Sequence, residues 1–133
     1  MSKILAVDVG EKRVGVAISD ELQILSFPVA TFDIETALED IANIIKEEGV
    51  KKIIIGLPRE MSGKMGEKAK ESRSFALELG KKLKGIRIDF EDETGTSLLA
   101  EERLKKKGVN FRVEKGRVDA EAAAIILEGY LRK

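Results

Sequence analysis

Four acidic residues stand at the ends of predicted strands and helices, where catalytic side chains are often held. Asp8 ends an apolar run, Asp92 and Glu93 follow another, and Asp119 opens the last predicted helix. Carboxylates gathered at one sheet edge repel one another, which favours a hard cation among them. Mg²⁺ or Mn²⁺ accepts such oxygen ligands, with waters and phosphate oxygens completing the shell. These acids are therefore candidate ligands of a metal site that could hydrolyse phosphodiester bonds.

Each acid also has an ordinary structural explanation, and spacing alone leaves both explanations open. Asp8 precedes Val9-Gly10, an arrangement typical of turns. Asp119 near a helix start suits the helix dipole, and Asp92-Glu93 could be a solvated strand end. Convergence of these positions in the fold would favour the chemical explanation.

Residue types that the chain lacks exclude several kinds of catalysis. The sequence has no Cys and no His. This excludes disulfide frameworks, thiol nucleophiles and thiolate zinc sites. It also excludes Ser-His-Asp and Cys-His catalysis, and imidazole as ligand or general base. An enzyme with this composition must rely on carboxylates, Lys, hydroxyls or a bound metal.

The hydropathy pattern predicts the element order βββ-α-β-α-β-α-α. Pro28 cannot donate a ladder hydrogen bond, so the third strand is predicted at a sheet edge. Asp33 is a candidate N-cap of the first helix, and Gly49 is positioned to end it. The pattern predicts strands over 3–8, 13–19, 24–32, 51–57 and 86–91, and helices from about 38 to 49, then over 67–83, 96–107 and 118–131.

These elements predict an α/β fold with a mixed five-stranded sheet flanked by helices. The short links between the first three strands indicate an antiparallel meander. Right-handed crossovers then place the fourth and fifth strands parallel to the first, on the side away from the meander. The carboxyl ends of these three strands, where α/β proteins tend to bind ligands, should lie side by side. A chain of 133 residues fits one domain, 1–133.

Basic residues cluster locally although 24 Lys and Arg balance 24 Asp and Glu. Gly10 and Gly15 flank two cations and could let a nucleic-acid backbone approach closely. A second basic segment precedes Asp119. Solvated helix faces are the alternative explanation for any single run of charge. The predicted phosphate-binding residues are Lys12, Arg13, Lys105, Lys106, Lys107, Arg112, Lys115 and Arg117.

The cellular setting is predicted from what the sequence lacks. No apolar run approaches the ~18 residues that a membrane-spanning helix needs. The N-terminal residues enter an apolar strand without the layout of a signal peptide. We expect a cytoplasmic protein without membrane association.

Four sequence blocks in the same order resemble those of the YqgF/RuvX family. The opening block is AVDVGEKRVGVAISD at 6–20, and GLPREMSGKMGE at 56–67 is similar to the family's Gly-Leu-Pro segment. Asp92-Glu93-Thr94-Gly95-Thr96-Ser97 resembles its Asp-Glu-Arg block, and the segment from Gly116 to Ala123 resembles its final Asp-x-x-Ala-Ala motif. Arg73-Ser74-Phe75-Ala76 is similar to a further helix segment. The resemblance covers nearly the whole chain.

The resemblance implies a ribonuclease H-like fold and a carboxylate site. It implies catalytic, metal-binding roles for Asp8, one of the Asp92-Glu93 pair, and Asp119, with Mg²⁺ or Mn²⁺ as cofactor. Strand alternation sets Glu93 opposite Asp92, and we favour Glu93 as the ligand with Asp92 as runner-up. The family usually has Arg after Asp-Glu, whereas Thr94 stands here. This departure affects substrate contacts more than metal binding, because both acids remain.

The resemblance also implies the function. Members of the family are described as nucleases that mature the small-subunit ribosomal RNA precursor and as Holliday junction resolvases. We expect a metal-dependent endonuclease on structured nucleic acid, with the 5′ end of pre-16S rRNA as the leading substrate and four-way DNA as the alternative. A non-catalytic RNA-binding factor on the same fold is a third hypothesis. An actin-like ATPase would need two such lobes. Both a monomer and a homodimer are compatible with these readings.

Overall fold

The computed structural model describes residues 2–58, 66–93, 96–108 and 116–133. Parts of two predicted loops, 59–65 and 109–115, and the Thr94-Gly95 pair lie outside the described residues. The strands are β1 (Ile4–Val9), β2 (Arg13–Ser19), β3 (Ser26–Asp33), β4 (Lys52–Leu57) and β5 (Arg87–Asp92). The helices are α1 (Ala37–Glu48), α2 (Glu67–Lys82), α3 (Thr96–Lys106) and α4 (Gly116–Leu131). The predicted element order is confirmed.

The strands form one sheet in the order β3-β2-β1-β4-β5. β1 pairs antiparallel with β2, and β2 pairs antiparallel with β3. β4 pairs parallel with both β1 and β5. The mixed sheet, the edge position of β3 and the side-by-side carboxyl ends of β1, β4 and β5 are therefore as predicted.

Alternation along the strands gives the sheet two different faces. On one face, large apolar side chains such as Leu5, Val7 and Ile55 pack with α1 and α2. On the other face, small residues such as Ala6 and Ala17 pack against α4. Helix α3 packs on α4, where Ala100, Ala122 and Ile125 form a further apolar cluster.

Two predicted helix starts are wrong. Asp33 does not cap α1: it is the last residue of β3, and Thr36 is the N-cap. The extended pairing continues past it, because the amide of Ile34 donates to the carbonyl of Lys12. Helix α4 begins at Gly116, two residues before the predicted start.

Gly49 ends α1 as predicted, with a left-handed φ of 67° and its N–H bonded to the carbonyl of Ile45. Among the helices that the structure describes, none has the length and apolar character needed to cross a membrane.

Candidate functional site

Asp8 is buried near the end of β1, on the face that α4 covers. Only 4% of the residue is exposed. Its partner across the antiparallel pair is Gly15 of β2. A Cβ at Gly15 would overlap the main-chain carbonyl of Asp119 and lie 2.8 Å from the amide nitrogen of Ala120. The glycine therefore lets the first turn of α4 lie against the sheet beside Asp8.

This contact corrects the expected role of the glycines in the first hairpin. Gly15 makes room for the protein's own main chain, not for a nucleic-acid backbone. Gly10 belongs to the turn, where its amide donates to the carbonyl of Arg13 at 2.8 Å. The physical reason is that α4 already occupies the space over Gly15.

Glu93 follows β5 and is 3% exposed on the same face as Asp8. The register between β1 and β4, in which Val7 pairs with Ile55, sets Gly56 beside Asp8 on the neighbouring strand. A Cβ at Gly56 would lie 3.1 Å from Glu93 Cδ. The absent side chain therefore leaves the space in which the Glu93 carboxyl approaches Asp8.

The Asp8 and Glu93 carboxyls interact strongly. Burial, followed by hydrogen bonding with Asp8 and repulsion from it, raises the pKa of Glu93 from 4.5 to about 8, while Lys68 opposes the shift. Near neutral pH, and without another cation, the pair therefore holds a proton. Two acids whose charges cannot both persist without compensation form an arrangement found often at functional sites.

Lys68, in the first turn of α2, bridges the two acids. Its Nζ lies 3.5 Å from Asp8 Oδ1 and 3.4 Å from Glu93 Oε2. Burial lowers the pKa of this ammonium, but attraction to the two carboxylates outweighs burial and the net shift is upward. Lys68 is thus the cation that partly compensates the buried pair.

The donor set of this pair fits a hard cation. Asp8 Oδ1 and Glu93 Oε1 are buried without a hydrogen bond, which is costly for a carboxylate oxygen unless a cation binds it. Two carboxylates are the protein share that Mg²⁺ commonly takes. Over the part of the chain that the structure describes, however, no three acidic side chains lie close enough to hold an ion together.

Asp119 lies beside this pair in a different interaction. Arg13 Nε donates to Asp119 Oδ2 at 3.1 Å. Burial raises the pKa of Asp119 above its ordinary value, and the Arg13 ion pair opposes that shift. Repulsion from Asp8 also contributes to the upward shift, so the two acids sense each other's charge. A site of all three carboxylates stays a prediction.

The runner-up ligand, Asp92, has a different environment from Glu93. Asp92 is exposed at the end of β5, whereas Glu93 is buried on the α4 face. The alternation predicted for these two residues is therefore present in the structure. Which of them binds a metal stays a prediction.

The predicted phosphate-binding cations fall into three groups. Lys12 and Arg13 are exposed at the first hairpin, and Arg13 is engaged with Asp119. The three lysines at 105–107 are exposed around the end of α3, with Lys107 Nζ 3.6 Å from Glu121 Oε1. Arg117 is exposed in the first turn of α4, while Arg112 and Lys115 lie outside the described residues. Their joint role stays a prediction.

Sequence reasoning missed Lys68 and the packing roles of Gly15 and Gly56. Lys68 sits in the first turn of a helix, where the helix dipole disfavours a cation. That unfavourable position was a readable signal that nearby anions hold it. The glycines carried no comparable signal, because their contacts come from elements distant in sequence.

Comparison with known proteins identifies relatives over nearly the full length. The family model described as "RuvX: Holliday junction resolvase" matches residues 2–133. A protein of Bacteroides fragilis is 40% identical over 133 residues, covering 98% of this chain and 96% of its own. One of Anaeromyxobacter sp. is 39% identical over 132 residues, covering 97% and 96%. Both are named "Putative pre-16S rRNA nuclease".

Solved structures with a similar fold include two resolvases. RuvC of T. thermophilus, in complex with a Holliday junction substrate, has a TM-score of 0.54 at 11% identity, covering 97% of this chain and 93% of its own. The yeast mitochondrial Holliday junction resolvase Ydc2 has a TM-score of 0.52 at 13% identity, covering 98% and 78%. At such identities the likeness establishes the ribonuclease H-like fold alone. The match of the family model and the curated relatives establishes more: the chain belongs to the RuvX family.

Proposed function

We propose that this protein is a divalent-metal-dependent endonuclease that cleaves structured RNA, with the 5′ end of the 16S ribosomal RNA precursor as its substrate. The observation that carries the proposal is the buried Asp8–Glu93 pair, in which one buried oxygen of each acid has no hydrogen-bond partner. The shared name of the curated relatives supports the choice of RNA. Such a substrate would place the protein in the cytoplasm.

Other buried acids on the same side of the sheet provide the contrast that singles out this pair. Glu91 is 8% exposed and forms an ion pair with Lys133. Glu121 is 4% exposed and lies within ion-pair distance of Arg103 and Lys107. No oxygen of either acid is among the buried atoms without a hydrogen bond. All four acids have a cation nearby, but only Asp8 and Glu93 each keep a buried oxygen without a hydrogen bond, to which a ligand could bind.

In this proposal Asp8 and Glu93 hold Mg²⁺ or Mn²⁺ through the two oxygens that lack a hydrogen bond. When bound, the ion would polarise the scissile phosphate and lower the pKa of a coordinated water. Asp8 lies on β1 and Glu93 directly follows β5, so the backbones of these two strands fix both carboxylates and little reorganisation is needed on binding. The absence of His means that no imidazole serves as general base.

Asp119 and Arg13, which lie beside the Asp8–Glu93 pair, would act on the substrate. In this proposal Asp119 would supply a further carboxylate once Arg13 turns to a phosphate. The Arg13 side chain is 46% exposed in its present ion pair, so its guanidinium can change partners without crossing the protein interior. Arg is suited to bidentate phosphate binding. Lys12 and the exposed lysines of α3 would add sequence-independent contacts to the backbone.

A cleavage assay tests the proposal directly. The purified chain is incubated with a pre-16S RNA fragment, with or without Mg²⁺ or Mn²⁺, beside the Asp8→Asn and Glu93→Gln variants. We expect metal-dependent cleavage by the wild type and a loss of at least about 100-fold in both variants, comparable to the loss of other electrostatic catalytic groups. The exposed Asp92→Asn variant is the matched control and should retain activity.

A second candidate function is resolution of four-way DNA junctions, which the description of the matching family model favours. Such an enzyme would be expected to act as a two-fold dimer, since its substrate has that symmetry. The same assay with a synthetic junction separates the two functions. Binding of either nucleic acid without metal-dependent cleavage would overturn the nuclease proposal and favour a binding factor.

A further inference from the structure

Lys68 holds a position that the proposed reaction does not explain. It extends from α2, whose inner residues Phe75 and Leu79 pack on the opposite face of the sheet. Its side chain nevertheless reaches past the strand ends to the carboxyls on the α4 face. Nζ lies 3.5 Å from Asp8 Oδ1 and 3.4 Å from Glu93 Oε2, so the ammonium is nearly equidistant from the two acids.

The exposure of the three side chains shows which of them can move. The side chains of Asp8 and Glu93 are 6% and 1% exposed, whereas that of Lys68 is 42% exposed. The acids are fixed within the packed sheet, and the ammonium covers them from the solvent side on a flexible four-carbon stem. Lys68 can therefore withdraw into water without unpacking the protein.

A divalent cation bound by this pair would need one of the oxygens that Lys68 contacts. Asp8 Oδ1 contacts Lys68 and is also one of the pair's two buried oxygens without a hydrogen bond. An ammonium at ion-pair distance from that oxygen and a hard cation bound to it exclude each other, both by space and by repulsion between like charges. The two occupants differ in charge, but either compensates the buried pair.

We propose that Lys68 is the resident counter-cation of the Asp8–Glu93 pair and that its ammonium group competes with the divalent cation for these carboxylate oxygens. The role of the divalent ion rests on the proposed function. The role of Lys68 in the metal-free protein does not. Lys68 thereby stabilises the folded protein when no metal is bound, and it raises the concentration of free metal needed to occupy the Asp8–Glu93 site.

The variant Lys68→Met tests both parts, with Lys70→Met as its matched control. Lys70 lies two residues further along α2 and is 63% exposed, with Glu67 3.9 Å away. Both variants remove one positive charge from the same helix, so any general electrostatic effect is shared. A third variant, Lys68→Arg, retains the charge and reports on folding if the Met variant is damaged.

Melting temperature in EDTA and Mn²⁺ affinity by calorimetry are the two readouts. We expect Lys68→Met to melt lower than Lys70→Met in EDTA and to bind Mn²⁺ roughly three- to tenfold more tightly, the range expected of one partly buried ion pair. Saturating Mn²⁺ should remove the difference in melting temperature. Lys68→Arg should stay near the wild type in both measurements.

Three results would overturn the inference. If Lys68→Met melted in EDTA at the same temperature as Lys70→Met, Lys68 would not be the counter-cation of the pair. Weaker Mn²⁺ binding by Lys68→Met would make the lysine a helper of the metal and not its competitor. If no variant and no wild type bound Mn²⁺, the proposed metal function and the competition would both fail, while melting in EDTA would still decide whether Lys68 stabilises the pair.

Discussion

The two faces of the central sheet are built from alternate residues of the same strands, yet they perform different tasks. The face under α1 and α2 carries branched side chains such as Leu5, Val7 and Ile53, all fully buried. The face under α4 carries Ala6, Gly15 and Gly56 in the equivalent rows, and its edge carries buried acids. The α1/α2 face stabilises the fold by burying large apolar side chains, whereas the small residues of the α4 face let polar groups lie close together.

This division explains why charge can be buried here at tolerable cost. Burying a large apolar side chain contributes about 1.5–3 kcal/mol, and the α1/α2 face has many of them. Buried carboxylate oxygens without a hydrogen bond cost free energy, and on the α4 face two such oxygens belong to Asp8 and Glu93. Functional sites commonly break local stability rules in this way and depend on stability supplied elsewhere.

Gly15→Ala should break the α4 face most severely. Its Cβ would overlap the main chain at Asp119, which cannot move as a flexible side chain could. We expect a loss of more than about 3 kcal/mol in the free energy of unfolding, at or beyond the usual cost of overpacking. Gly80→Ala is the control, since the nearest atom to its Cβ is 3.9 Å away, and it should stabilise the helix by up to about 1 kcal/mol. Urea titration measures both, and equal stability of the two variants would contradict the packing argument.

The raised pKa of Glu93 predicts how the metal-free protein responds to pH. The folded state holds this proton up to a pKa of about 8, whereas the ordinary value is 4.5. Between these two values the folded state binds more protons than the unfolded state, so stability should fall as pH rises, by at most about 1.4 kcal/mol per pH unit. Above pH 8 this contribution should level off.

Melting curves in EDTA from pH 5 to 9 check this, with Glu93→Gln as the comparison. The variant cannot titrate at this position. The difference in stability between wild type and variant should therefore change with pH in the way predicted for Glu93. Parallel curves for the two proteins would show that Glu93 ionises normally.

Gly56→Ala should disturb the acids more gently. The added Cβ would lie 2.6 Å from the flexible tip of Ile126 and 3.1 Å from Glu93 Cδ. Because a side-chain tip can shift, we expect a loss of about 1–2 kcal/mol, together with weaker Mn²⁺ binding as the Glu93 carboxyl is displaced. Calorimetry on the folded variant measures the second effect. Undiminished Mn²⁺ affinity would show that the added methyl group does not displace the Glu93 carboxyl.

The smallest expected effect concerns the exposed lysines of α3. Replacing Lys105 and Lys106 with Glu leaves Lys107 in its contact with Glu121. If both contact phosphates, RNA binding should weaken similarly across unrelated sequences of one secondary structure, and the slope of log affinity against log salt should flatten by about 0.7–0.9 per lost contact. Lys82 and Lys84, exposed near the start of β5 and thus at the other end of the parallel strands, are the matched control pair. Equal salt slopes for the two double variants would place the binding surface elsewhere.

Much of the fold was predictable because strong periodic patterns and connection rules constrain it. The apolar run around Ala6 and Val7, the position of Pro28 and the short early links predict the strand order that the structure has. The start of α1 was not predictable from Asp33, because cross-strand pairing extended β3 over a residue whose type also suits a helix cap.

The site was predictable only in part, for a related reason. Strand alternation anticipates that Glu93 and Asp92 lie on opposite faces, since it depends on neighbouring residues alone. The reach of Lys68 to the acids and the approach of α4 to Gly15 depend on contacts between distant segments. No local pattern encodes such distances, although a lysine in the first turn of α2 is a hint.

The central claim is that Asp8 and Glu93 together bind a catalytic divalent ion, and counting bound Mn²⁺ tests it most directly. The EPR signal of free Mn²⁺ is followed as wild type, Asp8→Asn, Glu93→Gln and Asp92→Asn are titrated with the ion near pH 8. The account predicts that wild type and Asp92→Asn deplete the free signal alike, and that each of the other two variants loses this binding. Binding that survives in Asp8→Asn and Glu93→Gln but disappears in Asp92→Asn would contradict it.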